Sequence, residues 1–155
     1  MQLILWRHAE AVDGFPDLKR ELTHAGHRQA RDMANWLQTR LPKDFRIIVS
    51  PAERARQTAS ALTFDFEVSK AIAPGASCDA VLDASGWPHA GGTVVVVGHQ
   101  PTLGETAATL LAGRPLAWTI KKGAIWWLHK RTSRAPMDIV LKAVMSPGLL
   151  AKEHA

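Results

Sequence analysis

Two short runs of apolar or β-branched residues, each followed closely by a histidine, constrain the fold of this chain most strongly. Residues 3–6 lead to His8, and residues 93–97 lead to His99. Uninterrupted runs of this length are typical of strands that are buried on both faces, as in the parallel sheet of an α/β protein. Because open α/β sheets bind ligands beyond the carboxyl ends of their strands, both histidines are predicted to lie at one functional edge.

A helix is predicted between these two strands, after a loop at residues 12–19. Thr23 is a good N-cap and Pro42 ends the segment. Apolar residues recur at helical spacing on one face, namely Ala30, Met33, Ala34, Leu37 and Leu41. Gly26 lies in the first turn, where glycine costs about 1 kcal/mol relative to alanine. We therefore expect another part of the chain to approach Gly26 closely.

A second strand and helix supply a candidate anion site. Residues 45–49 form a mostly apolar strand that runs into Ser50, a predicted N-cap, with proline at the first helical position and Glu53 completing a capping box. The free amides and the positive dipole end of this helix favour an anion at the strand's carboxyl end. Arg54, one turn into the helix, can reach back over the same crevice. The alternative is a surface Arg54 that pairs with Glu53 or Asp65.

The remaining elements complete a predicted α/β fold over residues 1–155. The pattern predicts a short strand within residues 64–70, a helix capped by Ser77 and ending at Asp83, a helix at residues 102–111, and strands at residues 124–128 and 139–145. A tight connection at residues 131–136 makes the last two strands an antiparallel pair. The predicted fold class is a single-domain, three-layer α/β/α sandwich with a mostly parallel central sheet and an antiparallel edge.

Composition excludes several classes of protein. The chain of 155 residues has a formal net charge of +5, but its basic residues are scattered, which favours anionic ligands in general and not nucleic acid. The single cysteine, Cys78, gives no disulfide framework and no metal motif. The N-terminal apolar run is too short for a signal peptide or a membrane span. We expect a cytoplasmic monomer with no membrane contact.

Histidines elsewhere in the chain indicate a second possible kind of site. His24 and His27 are spaced to lie on one helix face, and with His8 and Asp17 they could hold a metal ion in a metal-dependent phosphohydrolase. Solvent-exposed histidines in a first helical turn explain the same spacing more simply.

Four motifs in this order resemble the signature of the histidine phosphatase superfamily, whose fold is that of the phosphoglycerate mutases. They are Arg7-His8 after the first strand, Leu22-Thr23 with Gly26, Ser50-Pro51 with Arg54 and Gln57-Thr58, and Gly98-His99. The short length and three further features are similar to the small SixA-type branch, the phosphohistidine phosphatases. These features are the run from Asp17 to Arg20, the pair Gln100-Pro101 and the terminal Met145-Ser146-Pro147.

The resemblance implies a role for each residue at the predicted edge. His8 would be the nucleophile, which carries the phosphoryl group as a covalent phosphohistidine, and His99 would donate to the phosphoryl oxygens. Planar, bidentate arginine contacts would hold the phosphate. The implied substrate-binding positions are Arg7, Arg54, Arg20 and Gly98. The resemblance implies no metal and no cofactor.

The chain departs from larger members of the superfamily at the general acid. Gln100 follows the second histidine where such members carry an acidic residue, and Glu10, Asp79 and Asp83 are candidates only because they are acidic. No insertion is long enough for the cap of a mutase, which disfavours that activity. The implied substrate is therefore phosphohistidine in a protein domain, whose imidazole leaves more readily than an alkoxide. A small-molecule phosphomonoesterase and a non-catalytic phosphate-binding regulatory module are the alternatives.

Overall fold

The computed structural model describes residues 1–132 and 138–151, which contain one six-stranded sheet. Its strands are β1 (Gln2–Arg7), β2 (Arg46–Val49), β3 (Glu67–Val68), β4 (Thr93–Gly98), β5 (Ile125–Lys130) and β6 (Ile139–Met145), in the spatial order β3-β2-β4-β1-β5-β6. The first four run parallel, β5 is antiparallel to β1, and β6 is antiparallel to β5. The predicted antiparallel edge is confirmed, and most of the predicted connection at residues 131–136 lies outside the described residues.

Helices cover both faces of the sheet. They are α1 (His24–Gln38), α2 (Glu53–Ser60), α3 (Cys78–Ser85), α4 (Thr102–Ala112) and the short α5 (Pro147–Leu150). One core layer packs α1 and α2 against side chains such as Trp6 and Val97, and the other packs α3 and α4 against Leu5 and Val96. The three-layer α/β/α prediction is confirmed. Within the described residues, no helix is long and apolar enough to cross a membrane.

The carboxyl ends of β2, β4 and β1 lie side by side, as a shared crevice requires. Arg7 is paired with Gly98 in the register of β1 and β4, and β2 pairs with β4 as far as Val97. The residues that follow β1 and β2 continue the pairing with β4. The backbone N–H of His8 donates to the carbonyl oxygen of Gly98 (3.1 Å), and that of Ser50 donates to the carbonyl oxygen of Val97 (3.0 Å). The register therefore places His8, Ser50 and His99, the residues that follow β1, β2 and β4, at one edge of the sheet.

Close packing fixes the segment that follows β1 against the start of α1. Thr23 caps α1 as predicted, because its Oγ1 accepts a hydrogen bond from the backbone N–H of Gly26 at 2.9 Å. A Cβ atom at Gly26 would overlap the carbonyl oxygen of Glu10. The same carbonyl oxygen accepts from the backbone N–H of Thr23 at 3.0 Å. The expected close approach at Gly26 is thus confirmed, and it holds the chain two residues after His8.

The start of α2 differs from its prediction. The helix begins at Glu53 with Ala52 as its N-cap, and no side chain caps it. Ser50, the predicted cap, accepts a hydrogen bond at Oγ from the backbone N–H of Ala52 (3.2 Å) and lies 2.7 Å from Nε2 of His99. The capping prediction is wrong because the helix begins at Glu53, and the hydroxyl of Ser50 contacts His99, the buried histidine directly after the neighbouring strand.

Candidate active site

Two histidines face each other beyond the ends of β1 and β4. His8 and His99 are the first residues after these strands, and their ring centroids lie 5.2 Å apart. His8 is 8% exposed and His99 is 5% exposed, so both rings lie at the bottom of the crevice. The structure thus brings together the two histidines that the sequence places at one edge.

The hydrogen bonds of His8 determine which ring nitrogen is available for chemistry. Its Nδ1 lies 2.7 Å from the carbonyl oxygen of Ala9. Because a carbonyl oxygen can only accept, Nδ1 carries the proton and the lone pair is on Nε2. Thr58 holds this arrangement: its Oγ1 accepts from the backbone N–H of Ala9 (3.1 Å) and donates to the carbonyl oxygen of Arg54 (2.7 Å). His8 therefore presents the lone pair of a neutral imidazole at Nε2.

His99 contacts Ser50 through its other ring nitrogen. Nε2 of His99 lies 2.7 Å from Oγ of Ser50, which also accepts from the backbone N–H of Ala52. In the tautomer in which the hydroxyl donates to Nε2, Nδ1 of His99 carries the proton and can donate. In that tautomer one ring of the pair offers a lone pair and the other offers an N–H group.

Arg54 is a buried cation that is bound by Asp17. It is 4% exposed, and its Nη1 donates to the backbone oxygen of Asp17 (2.8 Å) while Nη2 donates to Oδ2 (3.1 Å). Arg20 donates from Nη1 to Oδ1 of the same carboxylate at 3.1 Å. The hydrogen bond from Arg20, and then the hydrogen bond and charge of Arg54, lower the pKa of Asp17. Arg54 is therefore neither paired with Glu53 nor free on the surface.

Arg7 approaches the site from the end of β1. Its Nη1 donates to the carbonyl oxygen of Ile120 at 2.9 Å, and burial lowers the pKa of its guanidinium group. The positive charges of Arg54, Arg7 and Arg20 each lower the pKa of His8. All three arginines that the sequence proposes as phosphate ligands thus act electrostatically on the same imidazole.

Three buried side-chain nitrogens within the described residues have no hydrogen-bond partner, and all three belong to this site. They are Nε of Arg7, Nε of Arg54 and Nδ1 of His99. Leaving a buried donor unpaired costs about 1–3 kcal/mol, so such atoms are uncommon away from functional sites. With Nδ1 of His99 protonated, the crevice holds three N–H donors, two of them on guanidinium groups, which suit an anion with several oxygens, such as a phosphoryl group.

Burial and neighbouring positive charge keep both histidines neutral. The pKa of His8 is lowered to about 4, first by burial and then by the three arginines, against the raising effect of its hydrogen bond to Ala9. The pKa of His99 is lowered to about 3, first by burial and then by His8 and Arg54. Burial lowers the pKa of His8 more than the charge of any of the three arginines does.

Other predicted candidates are engaged or exposed elsewhere. His24 and His27 are exposed on α1, and in the part of the chain that the structure describes no group of three or more histidine, cysteine, aspartate or glutamate side chains could hold a metal ion. Glu10 accepts a hydrogen bond at Oε2 (2.7 Å) from the hydroxyl that caps α1. Asp79 and Asp83 are exposed on α3. The donors of the metal-dependent alternative are therefore not assembled in these residues.

Gln100 and Gly98 have backbone roles at the end of β4. Gln100 accepts at Oε1 from the backbone N–H of Gly104 (2.7 Å) and donates from Nε2 to the carbonyl oxygen of Trp118 (2.9 Å), which ties the loop after α4 to the start of that helix. A Cβ atom at Gly98 would make only ordinary contacts with Leu103. The protein packing around residue 98 therefore does not require glycine. The role of Gly98 in phosphate binding stays a prediction.

Three polar residues support the site in ways that the sequence does not predict. Asp17 is proposed there as a metal ligand and as part of a motif, Ser50 as a helix cap and as part of a motif, and Thr58 as part of a motif. One available signal is the i, i+3 spacing of Asp17 and Arg20, which form an ion pair at 3.1 Å. Another is the position of Thr58 one turn after Arg54, where a hydroxyl can bond to the preceding carbonyl.

Comparison with known proteins agrees with this geometry. The sequence model of the histidine phosphatase superfamily (branch 1) matches residues 3–75. Phosphohistidine phosphatase SixA of Escherichia coli (strain K12) is 33% identical over 125 residues, which cover 73% of this chain and 76% of the relative. An uncharacterized protein of Picosynechococcus sp. is 36% identical over 164 residues, with 97% of this chain and 99% of that protein covered.

A solved structure has the same fold. The protein histidine phosphatase SixA complexed with tungstate superposes with a TM-score of 0.81 at 28% identity, covering 97% of this chain and 100% of the other. The chain therefore belongs to the histidine phosphatase superfamily. Within that superfamily, its similarity to the SixA proteins in sequence and structure places it in the SixA-type branch and supports phosphatase activity.

The neutral histidines make stability depend on pH. Between their usual pKa of 6.5 and the lowered values of about 4 and about 3, the unfolded chain binds protons at His8 and His99 that the native chain does not. Stability therefore rises with pH across this window and is lost as pH falls from about 6.5 toward 4. Asp17 stays ionised there, because its pKa is lowered from 3.8.

We expect His99→Gln to flatten this dependence by up to about 1.4 kcal/mol per pH unit, the value for one proton. Urea unfolding of wild type and variant between pH 4.5 and 7.5 measures it. Val97→Ala, which removes buried volume but no titratable group, should lower the whole curve without changing its slope. Parallel curves for wild type and His99→Gln would contradict the pKa assignment.

Proposed function

We propose that this chain removes phosphate from phosphohistidine in proteins, through a covalent phosphohistidine on His8. The observation that carries the proposal is the set of three unpaired donor nitrogens in the crevice where His8 presents a free Nε2 lone pair. Phosphoryl transfer needs mainly an in-line acceptor and donors for the equatorial oxygens, and these residues can supply both. The name of the Escherichia coli relative, a phosphohistidine phosphatase, supports the substrate class.

The first step is transfer to the enzyme. Nε2 of His8 attacks phosphorus, the bond from phosphorus to the substrate's imidazole nitrogen breaks, and that nitrogen keeps the electron pair and takes a proton from solvent. Nε of Arg7, Nε of Arg54 and Nδ1 of His99 donate to the phosphoryl oxygens as charge shifts onto them. The carbonyl oxygen of Ala9 keeps its hydrogen bond from Nδ1 of His8 and stabilises the positive charge on the phosphorylated ring.

The second step restores the enzyme. A water molecule attacks the phosphorus of the phosphorylated His8, the bond to Nε2 breaks, and the electron pair returns to that nitrogen. The proton of the water leaves to the phosphate or to solvent, and inorganic phosphate departs. The lowered pKa of His8 favours this return to the neutral ring, so the next cycle begins with a free lone pair.

Arg20 is a further phosphate ligand at the edge of the crevice. Its side chain is 24% exposed and is paired with Asp17, which also pairs with Arg54. Guanidinium groups bind carboxylate and phosphate with the same planar geometry. A phosphoryl group entering the site therefore competes with the Asp17 carboxylate for both arginines.

The state of Asp17 favours a substrate with a good leaving group. Two arginines lower the pKa of this carboxyl group, which makes it a poor general acid. Alkyl phosphates depend on such an acid, whose contribution is typically about 10²–10⁴-fold, because an alkoxide leaves poorly. Phosphohistidine depends on it less, since its imidazole leaves more readily.

Replacing the nucleophile tests the covalent step. His8→Asn should lower turnover at least about a thousandfold, because no other lone pair is presented to the phosphoryl group. Wild-type enzyme quenched during turnover should carry a phosphoryl group that is labile in acid and stable in base. His27→Asn, at an exposed histidine of α1, is the matched control and should retain full activity. Activity in His8→Asn, or loss of wild-type activity in EDTA, would refute the mechanism.

Comparison of leaving groups tests the substrate class. We expect kcat/KM for phosphohistidine-bearing peptides to exceed that for alkyl phosphates such as sugar phosphates or 3-phosphoglycerate by at least about a hundredfold, the lower range of a general acid's contribution. Steady-state phosphate release under identical conditions gives both values. A preference for the alkyl esters would exclude phosphohistidine as the substrate and leave His8 as nucleophile.

A further inference from the structure

Three exposed apolar side chains lie on one loop beside the site. This rim loop, residues 12–20, follows β1 and carries Val12 (42% exposed), Phe15 (97%) and Leu18 (50%). Among large apolar side chains in the described residues, none is more exposed than Phe15. Val12 and Phe15 line the same shallow cavity, and neighbouring exposed apolar side chains beside a functional site are typical of a surface that a partner covers.

Hydrogen bonds hold the rim loop in this conformation. The backbone N–H of Val12 donates to the carbonyl oxygen of Glu21 (2.8 Å), and Nε of Arg20 donates to the carbonyl oxygen of Val12 (2.8 Å). The backbone N–H of Lys19 donates to the carbonyl oxygen of Pro16 (3.0 Å). The apolar side chains are therefore presented outward by an ordered backbone, and an ordered surface loses little conformational entropy when it binds.

The rim loop is bonded directly to the phosphate site. Arg54 donates from Nη1 to the backbone oxygen of Asp17 and from Nη2 to its carboxylate, and Arg20 binds the same carboxylate. His8 and His99 lie below at 8% and 5% exposure. Because so little of either ring is exposed, the body of a protein substrate contacts the residues around the crevice, and the rim loop is one of these segments.

We propose that the rim loop is the docking surface for the phosphorylated protein, with Phe15 and Leu18 packing against apolar side chains that flank its phosphohistidine. The inference rests on the proposed function. A shallow cavity of about 170 Å³, lined in part by Phe15, Pro16 and Arg20, receives a flanking side chain of the partner. Free phosphohistidine carries no flanking apolar group, whereas a protein surface does, and aromatic anchors dominate the energetics of such contacts.

A larger cleft elsewhere provides the control. It has a volume of about 480 Å³, lies between α1 and α2, and is lined by charged residues such as Arg31 and Arg56 together with Phe64, which is 86% exposed. Phe64 follows the carboxyl end of α2, whereas Arg54 is in the first turn of that helix. Phe64 is therefore an exposed phenylalanine like Phe15, but it lies at the carboxyl end of α2, away from the end that carries Arg54.

The experiment compares three substrates: a phosphohistidine peptide flanked by leucines, the same peptide flanked by serines, and free phosphohistidine. Wild-type enzyme should show a kcat/KM at least about tenfold higher for the leucine peptide than for the serine peptide, mainly through KM. Phe15→Ser should abolish most of this preference and Leu18→Ser part of it. Turnover of free phosphohistidine should be unchanged in both variants, and Phe64→Ser should behave as wild type with all three.

Other results would contradict a docking role for the rim loop, and they would indicate different explanations. An unchanged leucine preference in Phe15→Ser, or its loss in Phe64→Ser, would place the docking surface elsewhere. A parallel loss of free phosphohistidine turnover would show that the loop acts through Asp17 and the arginines. Dimers in sedimentation that Phe15→Ser dissociates would make the rim an interface between copies of this chain. Failure of wild type to hydrolyse any phosphohistidine compound would instead refute the proposed function itself.

Discussion

The parallel pairing of β1 with β4 is the constraint on which the site depends. Its register sets Arg7 opposite Gly98, so the next residue of each strand is a histidine, and the two rings meet at 5.2 Å. Pairing of β2 with the other side of β4 brings Ser50 to the same edge, where it binds His99 at 2.7 Å. A one-residue slip would turn either histidine away from the crevice, because strand side chains alternate between faces. The buried apolar runs that specify this register therefore also specify the chemistry.

The site combines low solvent exposure with concentrated positive charge. Burial keeps both imidazoles neutral, and in the tautomer in which Ser50 donates to Nε2 of His99, one ring offers a lone pair and the other an N–H group. The buried nitrogens Nε of Arg7, Nε of Arg54 and Nδ1 of His99 have no protein partner among the described residues and are held in place by the surrounding fold. Donors fixed in this way need little reorganisation when charge develops on a phosphoryl group.

Local signals in the sequence predict the strands and helices of the molecule but not the hydrogen bonds between side chains that are distant in sequence. The β-branched run of β4 and the Thr23 cap of α1 depend on neighbouring residues, and both predictions are confirmed. The Ser50 prediction is wrong because a tertiary hydrogen bond overrides a local capping pattern. The pairing of Asp17 with Arg54 joins residues 37 positions apart, so no local pattern reveals it. The positions of the strand ends thus predict which residues come together in the site. The hydrogen-bond partners that orient those residues are visible only in the folded structure.

Binding of an oxyanion tests the central claim most directly, since Nε of Arg7, Nε of Arg54 and Nδ1 of His99 are its proposed donors. In ¹⁵N NMR, titration with tungstate or inorganic phosphate should shift the Nε resonances of Arg7 and Arg54 and the Nδ1 resonance of His99 together, with one dissociation constant. That constant should equal the inhibition constant of the same anion in the phosphatase assay. Anion binding that leaves these three resonances unchanged, or that shifts Arg31 and Arg56 of the α1–α2 cleft instead, would contradict the account.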